Sequence, residues 1–298
     1  MRATHLSVLG LFAVISVASA ADDATSEALR DHIPKPGVFP PAGAGIHWNG
    51  DLVMSDPMNR RGALRKSQHA PRLYFAMLPY GMVSYHGAPA DVRDIPLGTH
   101  LHGRFLLPIE GEEETIPLTE KQLKQSPSLR HSHAILLEDD VSFHQRQGRS
   151  WKVLGFEQGG GPAPRLKLSV EPIGPEIEGG LNKPTLFDID DAARVWQKRS
   201  LVAKEAIKPD QEVQVNLTWG PFDSLAITDI WLDNESLTAC REIQRQRHLR
   251  LIRSRFLPGW VDAVKNTDTG GGEVTVTLFG GMDPTLYEEL STTPHPKI

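Results

Sequence analysis

The chain has 298 residues, of which 39% are hydrophobic and 23% are charged, and its formal net charge at pH 7 is −5. This composition is far from that of disordered, collagen-like or integral membrane proteins, and the negative charge gives no overall electrostatic reason to expect nucleic acid as a partner. A single cysteine excludes an internal disulfide framework and any metal site built from several cysteines.

The first twenty residues have the order of features that is typical of a Sec-type signal peptide. Arg2 supplies a positive charge, residues 6–17 are almost entirely apolar, and Ala18-Ser19-Ala20 is a small-x-small cleavage site. The apolar run is shorter than the roughly 20 residues that a transmembrane helix needs. We therefore expect residues 1–20 to be removed and the mature protein to be exported, periplasmic or secreted, with no transmembrane segment left.

Residues 21–69 have the composition of a linker that is followed by a basic segment. Prolines and glycines are concentrated between Pro34 and Gly45, where they prevent a helix. Arg60, Arg61 and neighbouring basic residues follow. The sequence therefore predicts that this segment lies outside the folded lobes.

Residues 70–178 contain short runs in which apolar and polar side chains alternate, a period-two pattern that is typical of β-strands. The runs cover residues 73–78, 82–86, 97–107, 134–144, 151–157 and 165–173. Pro79-Tyr80-Gly81 separates the first two runs and predicts a hairpin turn. The sequence therefore predicts a first β lobe over residues 70–178.

A Gly- and Pro-rich segment at residues 174–184 predicts the boundary to a second β lobe over residues 179–298. The strands predicted in this lobe are 185–189, 212–219, 225–231, 260–265 and 273–279. Apolar residues from Leu237 to Phe256, with Ile243 among them, recur every three or four positions, which predicts a helix over residues 234–256. The fold class is therefore mainly β (α+β), with two small β-barrel or sandwich-like lobes and one long basic amphipathic helix near the C-terminus.

Two segments resemble each other faintly, residues 95–102 and residues 207–216. Each leads from a proline turn, at Pro96 and at Pro209, into an alternating strand, which is a common start for a strand of a small closed barrel. Either the two lobes repeat one folding pattern or two unrelated proline turns occur in a proline-rich chain.

Histidines provide the best candidates for a metal site. The chain contains two H-x-H pairs, and residues i and i+2 of a strand project from the same face, so that two imidazoles can bind one ion. The candidate ligands are His86, His100, His102, His131, His133 and His144. The carboxylates of residues 138–140 complete a nitrogen and oxygen set that suits a divalent metal such as zinc or copper. Twelve histidines also produce such pairs by chance, and ordinary surface or half-buried imidazoles are the alternative interpretation.

The predicted helix is rich in arginine, with six arginines and one acidic residue between positions 241 and 255. Such a face can bind an anionic surface, for which the candidate residues are Arg241, Arg245 and Arg253. A solvated face that pairs with acidic residues elsewhere in the protein is the alternative.

No motif for nucleophilic hydrolysis, a zinc protease helix or a phosphate-binding loop occurs in the sequence. The sequence therefore favours an exported, β-rich binding or structural module, rather than an enzyme, with an unknown envelope or extracellular ligand. The two alternatives are a metal-binding protein or metal-dependent enzyme that uses the H-x-H histidines, and an anionic-surface binder that uses the arginine-rich helix.

Overall fold

The computed structural model describes residues 26–35, 38–111, 119–159, 165–220, 224–255, 257–266 and 272–292. The predicted signal peptide, residues 1–20, lies outside these ranges. Within them the protein is mainly β-sheet. No helix in the described ranges combines the length and the apolar character that crossing a lipid bilayer requires.

Five strands close the first barrel, and a short strand, β4, extends its third strand. The strands are β1 (Ile46–Asp56), β2 (Arg61–Arg65), β3 (Arg72–Tyr85), β4 (Ala88–Pro89), β5 (His100–Leu106) and β6 (His133–Asp139). The sheet follows the order β2-β1-β5-β6-β3 and closes by pairing β3 with β2. Only the pairing of β3 with β6 is parallel. Three helices flank this barrel, α1 (Ser26–Arg30), α2 (Glu120–Gln125) and α3 (Asp140–Arg146).

The second barrel has the same connectivity. Its strands are β7 (Ser150–Gln158), β8 (Leu166–Ile173), β9 (Thr185–Gln197), β10 (Ser200–Val202), β11 (Glu212–Trp219) and β12 (Leu225–Trp231). The order is β9-β12-β11-β7-β8, closed by pairing β8 with β9, and β9 is parallel to β12. Both are five-stranded Greek-key barrels, the connectivity class that includes the OB-fold. Connectivity alone does not assign a function.

Each barrel encloses its own hydrophobic core because its strands alternate apolar residues inward with polar residues outward. Leu101 and Phe105 of β5 point into the first core. Val213, Val215 and Leu217 of β11 point into the second core. The side chains between them therefore face outward, and β5 and β11 present polar residues to the space between the barrels.

The two barrels repeat the same backbone hydrogen bonds at the start of these two strands. The amide of Gly98 donates to the carbonyl of Leu52 at 2.8 Å, and the amide of Asp210 donates to the carbonyl of Val153 at 2.8 Å. Both donors have a left-handed backbone, with φ of 91° at Gly98 and 64° at Asp210. The two proline turns that resemble each other in the sequence therefore occupy the same place in each barrel.

The two barrels also match at the ends of β6 and β12, the last strand of each barrel. The carboxylate of Asp139 accepts a hydrogen bond from the amide of Ser142 at 3.0 Å, and that of Asp233 accepts one from Ser236 at 2.7 Å. An aspartate in this position satisfies a free amide of the first helical turn. It starts α3 in the first barrel and α4 (Asn234–Arg255) in the second.

The chain ends in a two-stranded ribbon and a helix. These are β13 (Gly259–Asn266), β14 (Gly272–Leu278) and α5 (Pro284–Thr292). Helices α4 and α5 pack together through a small apolar cluster that includes Leu249, Ile252 and Leu286.

Two predictions about the first lobe are wrong. Residues 46–65 lie in the predicted linker and basic segment but form β1 and β2, because their apolar residues alternate inward despite the surrounding glycines and arginines. Residues 72–85 form one strand and not a hairpin. The guanidinium of Arg60 donates to the carbonyls of Leu78 and Gly81, both at 3.1 Å, and so holds the Pro79 segment as a bend within the strand.

The predicted boundaries also change. The expected strand over residues 134–144 is split, because Asp139 ends β6 and starts α3. Residues 174–184 connect β8 with β9 inside the second barrel, and the chain passes between the barrels at α3 instead. In α4, Ile243 is 69% exposed and is not part of an apolar stripe, while Phe256 lies outside the described residues.

Candidate metal site at the junction of the two barrels

Strand β5 positions two histidines on the outer face of the first barrel. Because Leu101 fills the core, the neighbouring residues His100 and His102 both project toward the second barrel. Both imidazoles are nevertheless buried: His100 stands edge-on to Trp219 of the second barrel, and His102 stacks on Phe143 of α3. Their ring centroids lie 5.4 Å apart.

The third residue of the site comes from the first turn of α3. Asp140 is buried, and one of its carboxylate oxygens, Oδ1, lies 3.0 Å from Nε2 of His102. One ligand atom from each of His100, His102 and Asp140 lies within 4.8 Å of the other two. Two ligands of one zinc ion lie ~3.3 Å apart when each bond is ~2.0 Å long, so that small side-chain movements would bring the three groups around an ion.

A second aspartate, Asp51, contacts His100. Asp51 lies opposite His100 in the β1–β5 ladder, and its Oδ1 is 3.2 Å from Nδ1 of His100. The other oxygen, Oδ2, accepts hydrogen bonds from the Thr218 hydroxyl at 2.9 Å and from the Trp219 amide at 2.8 Å. A carboxylate on the far nitrogen of a histidine fixes the ring and is the usual partner of a metal-bound imidazole.

Strand β11 of the second barrel forms hydrogen bonds with both carboxylates, Asp51 and Asp140. It holds Asp51 through Thr218 and Trp219, and the amide of Leu217 donates to Oδ2 of Asp140 at 2.9 Å. The two carboxylates are therefore fixed by one barrel while the histidines belong to the other. The second barrel therefore holds both carboxylates beside the histidines of the first barrel.

The electrostatics of the site favour positive charge next to its carboxylates. Burial opposes the charged form of His100, but the carboxylates of Asp140 and Asp51 outweigh it and raise the pKa of His100. Burial, together with His100, His47 and Arg146, keeps the pKa of His102 well below its ordinary value. Burial also raises the pKa of Asp140. Two buried carboxylates need a compensating positive charge, which either a proton on His100 or a divalent metal would supply.

Comparisons with known proteins add no information about function to this geometry. No protein-family model, curated protein or solved structure matches the chain.

The second barrel shows that the fold itself does not require these residues. Lys152 and Glu212 face each other in the β7–β11 ladder, at the place where Asp51 and His100 do so in the first barrel. The positions equivalent to Asp51, His100, His102 and Asp140 are occupied by Lys152, Glu212, Gln214 and Asn234. The same backbone therefore forms without a histidine and aspartate cluster.

Two of the other candidate histidines have partners outside the site. His86 is paired with Cys240, whose Sγ lies 3.0 Å from Nδ1, and burial raises the pKa of that thiol to about 12. His131 places Nε2 3.0 Å from the carbonyl of Arg30 and 3.2 Å from a carboxylate oxygen of Asp31. Both imidazoles are therefore held by contacts outside the candidate metal site.

The remaining two candidates are buried among apolar or cationic groups. His144 of α3 stands edge-on to Trp151, with ring centroids 5.1 Å apart, and burial lowers its pKa to about 3. It is 5.9 Å from His102 between centroids. His133 of β6 is also buried, and burial together with Arg61 lowers its pKa to about 4. The structure thus brings together His100 and His102, places His144 beside His102 but outside the group of three ligand atoms, and leaves His86, His131 and His133 apart.

The buried His133 predicts an acid-sensitive step in stability. The fold lowers the pKa of His133 from an ordinary value of 6.5 to about 4. Between these two pH values the imidazole binds a proton in the unfolded chain but not in the folded protein. Stability is therefore lost as the pH falls through this range, by about 1.4 kcal/mol per pH unit for one such group. Urea unfolding of the wild type and His133→Gln at pH 7, 6 and 5 measures the difference. Parallel pH profiles for the two proteins would contradict the prediction.

The candidate anion-binding arginines are engaged with partners inside the protein. Arg245 contacts a carboxylate oxygen of Asp283 at 2.5 Å, and Arg253 contacts Glu289 at 2.5 Å. Arg241 donates to the side-chain oxygen of Gln145. These contacts match the alternative of a face that pairs with acidic and polar residues within the protein.

A cavity of about 370 Å³ borders the site beside His102. Two ion pairs line it: Arg146 with Glu138, through two contacts of 2.7 Å, and Arg104 with Glu178 at 2.6 Å. Glu138, a candidate ligand from the sequence, is thus held by Arg146 and not by the histidines.

Sequence reasoning missed the residues that support the site. Asp51 lies in a segment that the sequence predicts to be a linker, and no local signal places it opposite His100. Thr218 was in a correctly predicted strand, but no sequence signal indicates which barrel surface it contacts. Asp140 was included as one of three adjacent acids, and only the start of α3 distinguishes it from Asp139.

Proposed function

We propose that the protein is a metal-binding module that holds one divalent transition-metal ion, such as zinc or copper, at the junction of its two barrels. His100, His102 and Asp140 are the proposed ligands, and Asp51 orients His100 as the supporting carboxylate. The observation that carries the proposal is the meeting of three buried ligand groups within 4.8 Å of one another. Imidazole nitrogen combined with carboxylate oxygen is a donor set that suits these ions.

Metal binding would also stabilise the contact between the barrels. The ligands belong to the first barrel, while Leu217, Thr218 and Trp219 of the second barrel hold the two carboxylates. An ion that binds the assembled site, and not the unfolded chain, raises the free energy of unfolding with the logarithm of the ratio of its free concentration to the dissociation constant. The chemistry proposed here is binding and cross-linking of the fold, and no catalytic step is assigned.

The test is metal stoichiometry in matched histidine variants. Protein freed of metal with a chelator is titrated with Zn²⁺ and with Cu²⁺ by calorimetry, and the product is subjected to elemental analysis. The wild type is expected to bind one equivalent, and a His100→Ala/His102→Ala variant none, because two of three ligands are lost.

The other H-x-H pair is the control for this experiment. A His131→Ala/His133→Ala variant removes two histidines at the same spacing and is expected to keep one equivalent of metal. Equal binding by the two double variants, or no binding by the folded wild type, would refute the proposed site.

We also propose that the protein binds its metal outside the cytoplasm. The support is the order of Arg2, the apolar residues 6–17 and Ala18-Ser19-Ala20 in the sequence. N-terminal sequencing of the protein from its native cell is expected to begin near Ala21. A mature chain that begins at Met1 would contradict export by cleavage.

A further inference from the structure

Helix α3 carries a second polar side chain on the same face as Asp140. His144 follows Asp140 by four residues, and residues four apart in a helix are neighbours on one face. The imidazole of His144 is 2% exposed, and its ring centroid lies 5.9 Å from that of His102. The carboxylate of Asp140 and the imidazole of His144 are close enough to change each other's pKa. His144 therefore borders the candidate metal site.

One nitrogen of His144 is buried without a hydrogen-bond partner. Among the described residues, nothing accepts from or donates to Nδ1 of this imidazole. Buried polar atoms nearly always have a partner, so that an exception calls for an explanation such as an ion. Burial lowers the pKa of His144 to about 3, so that at pH 7 the ring is neutral, the form in which an imidazole binds a metal. The side chain is thus a ligand group that lacks a partner.

The separation of the rings is close to what one ion requires. An imidazole nitrogen binds zinc at ~2.0 Å, so that two imidazoles on one tetrahedral ion have ring centroids about 5 Å apart. The centroids of His100 and His102 lie 5.4 Å apart, and those of His102 and His144 lie 5.9 Å apart. His144 is not one of the three groups whose ligand atoms already lie within 4.8 Å of one another. A rotation of its side chain must therefore bring it to the ion.

The second barrel has no histidine at the equivalent position. Asn234 occupies the place of Asp140, and the residue four positions later is Thr238, which is exposed. The repeated fold therefore forms without a histidine here. His144 occurs in the barrel that has the histidine and aspartate cluster and has no counterpart in the barrel that lacks it, which favours a role in the site over a role in the fold.

We propose that His144 is a fourth protein ligand of the ion, so that His100, His102, Asp140 and His144 enclose it. This inference rests on the proposed function, because it concerns the same ion. Three protein ligands leave one position of a zinc ion open to water or substrate, as in catalytic sites, whereas four ligands close it, as in structural sites. Closure by His144 makes the ion a structural cross-link and leaves no position for a substrate.

The test asks whether the bound ion has an open position. Metal-free protein is loaded with Co²⁺, whose visible absorption reports its ligands, and sodium azide is added as a small anion that binds an open position. The wild-type spectrum is expected to stay unchanged by azide. His144→Ala and His144→Gln are each expected to give a different Co²⁺ spectrum that azide changes further. Both variants are also expected to bind zinc at least about 100-fold more weakly, a larger loss than removal of a supporting carboxylate causes.

His133→Gln is the matched control, because His133 is also buried with an unpartnered Nδ1 but is not part of the site. It is expected to keep the wild-type spectrum, zinc affinity and insensitivity to azide. Circular dichroism shows whether each variant keeps the fold.

Two outcomes would overturn the fourth ligand and leave the three-ligand site intact. One is a wild-type Co²⁺ spectrum that azide changes, which requires no variant and therefore tests the proposal even if a His144 variant fails to fold. The other is a folded His144 variant with the zinc affinity and spectrum of the wild type. Absence of metal binding by the folded wild type would instead overturn the proposed function together with this inference.

Discussion

Replacing Asp139 by alanine is expected to lower the free energy of unfolding by about 4 kcal/mol, because several buried donors would lose their acceptor at about 1–3 kcal/mol each. The Asp139 carboxylate is fully buried. It accepts hydrogen bonds from the His86 amide at 2.9 Å, from the Ser142 amide at 3.0 Å and from Nδ2 of Asn216 at 2.8 Å. One side chain therefore connects a turn of the first barrel, the start of α3 and the second barrel.

The second barrel provides the control for this prediction. Asp233 occupies the equivalent position and accepts from the amides of Ser236 at 2.7 Å and Lys198 at 2.8 Å. It is half-buried at the surface, so that water replaces the lost acceptor, and Asp233→Ala is expected to cost only about 1 kcal/mol. Chemical denaturation of both variants measures the difference. Equal losses would show that Asp139 acts only as a helix cap and does not connect the barrels.

Replacing Asp51 by asparagine is expected to weaken zinc binding by about 10–100-fold, the usual effect of removing a carboxylate behind a metal-bound histidine. Asp51 accepts from Nδ1 of His100 with one oxygen and from Thr218 and Trp219 with the other. Asparagine has a single acceptor oxygen, so that its amide group would face one of these donors. The imidazole would then be less firmly oriented and less basic toward the ion.

Competition with a chelator of known affinity measures the zinc dissociation constant, and Co²⁺ absorption shows whether the ligand set is retained. Asp51→Asn is expected to bind one equivalent with the same spectrum but lower affinity, because no ligand is removed. Lys152→Asn changes the equivalent position of the second barrel and is expected to leave the affinity unchanged. Wild-type affinity in Asp51→Asn would rule out the supporting role of Asp51.

Local patterns accounted for much of the second barrel. Strands β11 and β12 begin and end at the residues that the alternation predicted, 212–219 and 225–231. The period of two locates both strands even though their pairing contains a bulge at Thr228. The same period places His100 and His102 on one side of β5.

Contacts between distant segments determine the strand at residues 46–56 and the separate roles of the acidic residues 138–140. Residues 46–56 form a strand because β5 supplies partners about fifty positions later in the chain, and no local signal reports such a partner. Within the acidic run 138–140, each carboxylate has a different role. Glu138 pairs with Arg146, Asp139 starts α3, and only Asp140 reaches the histidines.

The sequence by itself determined the mainly β class, the strands β11 and β12 and the shared face of His100 and His102, because each depends on the short-range period of a strand. The tertiary structure alone decided the closure of two equivalent barrels, the choice of Asp140 and the support from Asp51 and β11. These depend on which surfaces meet across more than a hundred residues of chain, since Asp51 and Thr218 are 167 positions apart. The same contacts bring His100, His102 and Asp140 together in the buried candidate metal site.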